Sequence, residues 1–251
     1  MSWLRRVVRA IESQLRRRRP EPLPPGQPPT VAAVVERLRA VQAEGEPGDG
    51  VAAFNGMYLR VTELVGSRIA EGAFVNREFM TRLDIVFATL YLDQLTAAPD
   101  SVARAWAPVF ERRSHRCEPI QFALAGMNAH INHDLPVALV RTCRQLGLTL
   151  DRPGVQQDYD AVSAILAEVH EEVRQSFLRG VALDVDRSLA PVVSLVGNWS
   201  IARARDAAWV NAGVLWQIDG IPHLRKEFLD TLGGSVGMVG RYLLTPVAEL
   251  V

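Results

Sequence analysis

Cysteine is scarce in this chain of 251 residues: there are two, Cys117 and Cys143. No Cys-x-x-Cys pair occurs, so neither a zinc ribbon nor a disulfide framework is indicated. Lysine is scarcer still, with Lys226 alone against a large excess of arginine. The formal net charge is zero, which argues against a general nucleic-acid binder. No uninterrupted apolar run is long enough for a membrane span, and none follows the first arginines as a secretory signal requires. Strand-like alternation and internal repeats are also missing, which excludes a β-fold and a solenoid. What the chain does have is 48% hydrophobic residues, ample for one large core.

The neutral total conceals two unequal parts of opposite sign. Residues 1–29 hold seven Arg against two Glu, and the remainder is correspondingly acidic. Within the leader, Trp3, Leu4, Val7, Val8, Ile11 and Leu15 fall on one helical arc of about 140°. Arg5, Arg6, Arg9, Arg16 and Arg17 lie outside it. Such a helix suits either an anionic membrane surface or a docking groove on protein. For the membrane reading the contacts would be Trp3, Leu4, Arg5, Arg6, Val7 and Arg9, and the protein would be cytoplasmic, peripheral on the inner membrane face. The stretch Pro20-Glu-Pro-Leu-Pro-Pro-Gly-Gln-Pro-Pro29 then reads as a semi-rigid tether. The expected organisation is a basic amphipathic helix over 1–19, a linker over 20–29 and an all-α domain over 30–251.

From Thr30, which can cap the helix that follows, the apolar period is helical. It predicts helices near 30–44, 53–71, 76–97, 101–114, 119–132, 136–147, 155–179, 187–196, 198–217 and 221–243. The fold class is all-α: a single multi-helix bundle with a detached N-terminal helix.

Charged and polar residues on apolar faces mark candidate sites, because a helical core normally excludes them. Asp84 projects among Met80, Tyr91 and Leu95. In the run Gly126-Met-Asn-Ala-His-Ile-Asn-His-Asp-Leu-Pro136, His130 and Asp134 stack four residues apart along one flank of the apolar stripe. Asn128 and Asn132 line the other flank, and on a straight helix His133 points nearly away. Pro136 is expected to perturb or end that helix. His170 sits on the core face of its helix, and Arg203 with Asp206 forms an i,i+3 pair. Convergence of these groups would make a polar pocket for a small-molecule ligand. In it His130, Asp134 and Asp84 are the catalytic candidates, and Asn128, Asn132, His170, Arg203 and Asp206 the ligand-binding ones.

Two chemistries fit His130 and Asp134. They suit a divalent metal, which would generate a nucleophilic water for ester or phosphoester hydrolysis. They equally suit metal-free acid–base work, with His130 moving protons and Asp134 orienting its ring. A non-catalytic, membrane-tethered ligand-binding or scaffold protein is the other class. His133-Asp134 resembles the doublet of the HD phosphohydrolases, with His115 upstream and Asp158 downstream, though a proline two positions later is foreign to that pattern. The glycines of Gly233-Gly-Ser-Val-Gly-Met-Val-Gly240 follow no strand and fit close helix packing better than a phosphate cradle.

The longer run Ala125-Gly-Met-Asn-Ala-His-Ile-Asn-His-Asp-Leu-Pro-Val-Ala-Leu139 resembles the signature of a helical family of unknown function common in actinomycetes. The likeness extends over about residues 50–220, through Phe87 to Tyr91, Gln157-Asp158-Tyr159 and Arg203 to Trp209. It implies a bacterial source and a helical fold, and it brings no activity. The leader and its tether lie outside it.

For the leader the expected result is co-sedimentation of the full chain with anionic vesicles, weakening at high salt. Equal binding by a chain beginning at Thr30 would refute it.

Overall fold

The computed structural model describes residues 27–46, 48–114, 117–163, 165–166 and 200–246. The leader contacts Trp3, Leu4, Arg5, Arg6, Val7 and Arg9, and the helix expected at 187–196, fall outside them. Among the described residues every regular element is helical. None of these helices is long and apolar enough to cross a membrane.

Side-chain caps set several of the starts. Thr30 Oγ1 accepts from the Ala33 N–H and opens α1, Val31–Glu44. Asp49 accepts from Val51 N–H at 2.8 Å and opens α2, Gly50–Ala70. Asn76 accepts from Phe79 N–H and opens α3, Arg77–Thr96. Each satisfies a backbone donor that the first helical turn leaves without a partner. The expected helix over 101–114 shrinks to a 3₁₀ turn at Pro99–Ser101 and a short α4, Ala107–Glu111. The reason is Pro108: it has no N–H for the Arg104 carbonyl and would collide with it in a continuous helix, so it is tolerated only in the first turn of α4.

The centre of the bundle is one long rod. It begins as α5, Pro119–Ala129, passes through a π-helical turn at His130–Asp134 and continues as α6, Leu135–Leu146. Every residue from Ile120 to Ala129 is buried, so this helix is covered on all sides, as its nearly continuous apolar sequence requires. The expected break before Pro136 is therefore a widening and not an end. Pro136 has no N–H for the Asn132 carbonyl and would collide with it in a regular helix. Instead Leu135 N–H bonds back five residues to the His130 carbonyl.

Around the rod, α5 packs on α2 and on α8, Pro222–Leu243, while α6 packs on α3 and on α7, Ile201–Ile218. Residues 155–163 form a further helical segment. Asp158 holds this segment to the start of α3, accepting from Val75 and Asn76 N–H at 2.7 and 2.6 Å. Gln121, fully buried, donates to the Leu243 and Thr245 carbonyls, both at 2.8 Å, and anchors the end of α8.

The glycine-rich stretch of α8 serves that packing. A Cβ on Gly237 would overlap the Arg104 carbonyl oxygen, a backbone atom that cannot step aside. Gly213 in α7 faces open space. Alanine gains about 1 kcal/mol over glycine within a helix, whereas overpacking costs about 1–3 kcal/mol. Gly213→Ala is accordingly expected to raise the melting temperature and Gly237→Ala to lower it; calorimetry of the two variants decides the point.

Candidate active site

The π turn gathers three N–H donors on one carboxylate. Asp134, 2% exposed, accepts from Trp106 Nε1 at 2.8 Å and from His130 Nδ1 at 3.0 Å on Oδ2. On Oδ1 it accepts from His133 Nδ1 at 2.8 Å. His133, which a straight helix would direct away, thus turns to the same acceptor. Burial alone would push the Asp134 carboxyl up, but the bonds from His130 and His133 and their attraction hold it down at about 2. An ionised carboxylate only accepts, so each imidazole carries its proton on Nδ1.

That assignment determines the other side of His130. Burial lowers its pKa despite the adjacent carboxylate, so the ring is neutral near pH 7 and Nε2 carries a lone pair. Nε2 is buried and has no hydrogen-bond partner among the described residues. The ring is clamped: it stacks on Phe87 at 3.5 Å between centroids and meets Tyr58 edge-on at 4.6 Å. Phe54 packs against the same imidazole, seated against Gly126, where any side chain would overlap its ring.

His130 lines a cavity of about 60 Å³, walled mainly by Phe54, Met57, Tyr58, Phe87 and Ile131, with Arg205 as its charged member. That is room for a few water-sized groups. Among the described residues Tyr58 OH and Asp84 Oδ2 are also buried without a hydrogen-bond partner. Burial raises the Asp84 carboxyl to about 7, and Asp84 is the first charge that adds to burial in pushing Tyr58 up.

The structure does not bring all the candidates together. Asn128 donates to the Val236 carbonyl of α8 and accepts from Asn132, so this pair ties the rod to its neighbour and lies outside the cavity wall. Arg203 and Asp206 are exposed. The buried face of α7 runs through Ala204, Arg205, Ala208, Ala212 and Leu215, which turns residues 203 and 206 to solvent. His170 lies outside the described residues.

Nor do His130 and Asp134 make a metal site. Both Asp134 oxygens are taken by N–H groups and His130 aims Nδ1 at the carboxylate, which leaves one Nε2 as a ligand. Among the described residues no group of three or more His, Cys, Asp or Glu is placed to hold a metal ion. Asp158, the downstream member expected of an HD site, spends both oxygens on backbone N–H groups.

Sequence reasoning misses Trp106, Tyr58 and Arg205 as site residues. Tyr58 lies four residues from Phe54 on an apolar stripe and reads as ordinary core. Trp106 falls in the helix expected over 101–114, where it reads as an ordinary core aromatic; the structure places it at the N-cap of α4. Arg205 did carry a signal, since 205, 208, 212 and 215 follow the spacing of a buried helical face.

Fold and site together define a class: among the described residues, an all-helical protein with an aromatic-lined cavity and an oriented histidine–carboxylate pair. Residues 31–246 match the Family of unknown function (DUF5995), and the chain belongs to that family. The match reaches further at both ends than the likeness seen in the motif. No curated protein and no solved structure matches the chain.

Asp84 provides a test of this electrostatic account. Its folded-state pKa is raised from 3.8 to about 7, so the folded protein binds its proton more tightly than the unfolded chain. The stability that proton supplies is full below the unfolded value and is lost as pH rises through about 7. Asp84→Asn is expected to gain on the parent by a few kcal/mol between about pH 5 and pH 8 in denaturant titrations. A constant difference across that range would sink the account.

Proposed function

We propose that the chain is an enzyme that moves protons on a small, largely apolar metabolite, with His130 Nε2 as the acid–base atom. One observation carries the reading: Nε2 is buried and, among the described residues, unpartnered on a ring that lines a cavity, while Nδ1 is held by an ionised carboxylate. Asp134 orients the imidazole and stabilises its charged form when a proton is taken up. Trp106 and His133 keep Asp134 in place. The stacked Phe87 fixes the ring plane, so little reorganisation accompanies proton transfer. Asp84 is not on the described cavity wall; its carboxyl, raised to about 7 by burial, acts on Tyr58 of that wall.

Metal-assisted hydrolysis has less support, because the donor set above leaves one nitrogen. A ligand-binding protein without turnover would use the same cavity and is distinguished by the assay. The basic leader supports attachment to an anionic membrane surface, which would keep such an enzyme near apolar metabolites.

The test uses a small ketone, butanone, in heavy water, with exchange of its α-hydrogens followed by proton NMR. Exchange is expected to depend on the protein and to fall about 10²–10⁴-fold in His130→Gln. Because catalysis needs the neutral ring, the rate rises with pH through the lowered His130 pKa and is flat near neutrality. Nitrogen-15 NMR is expected to show the Nδ1–H tautomer. The Nε2–H tautomer, or equal exchange by parent and variant, overturns the reading.

A further inference from the structure

Arg205 reaches the cavity from α7, opposite in chemical character to the rest of the wall. It is 4% exposed. Its Nε donates to Ser163 Oγ at 2.9 Å, and one terminal nitrogen donates to the Tyr159 carbonyl. The guanidinium carbon lies 4.0 Å over the Tyr159 ring, whose hydroxyl donates in turn to the Arg205 carbonyl at 2.7 Å. Every one of these partners is neutral. Among the described residues no carboxylate pairs with the guanidinium, and Asp160 and Asp206 act on it only at longer range. A guanidinium stays protonated even so. A buried cation held by neutral acceptors beside an apolar cavity lacks the counter-charge that would offset its desolvation.

We infer that Arg205 anchors the carboxylate of a small monoanionic substrate, whose apolar body fills the cavity and whose reacting carbon faces His130. This names the substrate class for the acid–base reading and rests on it. The guanidinium fork matches a carboxylate in shape and charge. A phosphate dianion fits poorly, because Arg205 is the sole cation on the described cavity wall and the second charge would stay uncompensated. Beside the aromatic rings, Met57, Val61, Met127, Ile131, Leu166 and Ile201 make the aliphatic part of that wall. The size of the cavity, about 60 Å³, favours a short or branched aliphatic acid.

The test compares isobutyrate, its neutral isostere isobutyramide and inorganic phosphate, each titrated into the full chain by NMR. Isobutyrate is expected to saturate a site with at least about tenfold higher affinity than isobutyramide, and phosphate to bind more weakly than either. Arg205→Gln is expected to abolish the preference for the acid, and Arg205→Lys to retain part of it. Equal affinity for acid and amide in the parent protein overturns the inference, as does tighter binding of phosphate. So does undiminished isobutyrate binding by a folded Arg205→Gln. Should that variant fail to fold, the comparison of acid with amide on the parent still decides. Failure of the two ideas is separable. An acid preference without butanone exchange removes the acid–base reading and leaves the anion site; exchange without acid preference removes Arg205 alone.

Discussion

An ionised carboxylate at the centre of a helical bundle has to be matched donor by donor, since each lost partner would leave charge in a medium that cannot solvate it. Asp134 meets that demand with Trp106, His130 and His133. The donors come from the turn that precedes α4 and from the π segment itself, so the bonds lock two distant parts of the chain. The same bonds fix which nitrogen of His130 carries a proton. Structure and chemistry therefore share one cause.

The π turn is what lets this happen on a single rod. A straight helix would split the polar residues of this segment between opposite flanks. Pro136 withdraws a donor at the position where the helix would otherwise tighten, and the extra residue in the turn swings His133 toward Asp134. Upstream of the turn, Asn128 is used on the far side, against α8, and steadies the distortion without entering the cavity. A local deviation from regular helix thus has a sequence origin, in the proline, and a tertiary stabiliser, in the asparagine.

The core around His130 is mostly aromatic and aliphatic, which keeps the dielectric low and makes the few ionisable groups buried there matter more. Asp134 is stabilised as an anion by its three donors. Asp84, without such donors, is driven toward its neutral form. Arg205 keeps its charge because a guanidinium has no accessible neutral form, and its Tyr159 and Ser163 partners hold it in place. Three ionisable groups in one interior thus respond to burial in three ways, according to their partners.

Much of this was legible in the residues themselves. The 3.6-residue period gave the helical class, Thr30 marked the first described helix, and the spacing of His130 and Asp134 placed both on one flank. Asp84 on its apolar arc was likewise visible as a buried carboxylate. These are local properties, encoded within one or two turns. The choice of Arg205 over Arg203, the arrival of Trp106 at Asp134, the Phe87 stack and the diversion of Asn128 to α8 depend on which face meets which neighbour. Residues far apart in the chain decide that, because burial is a property of packed surfaces and not of any single helix.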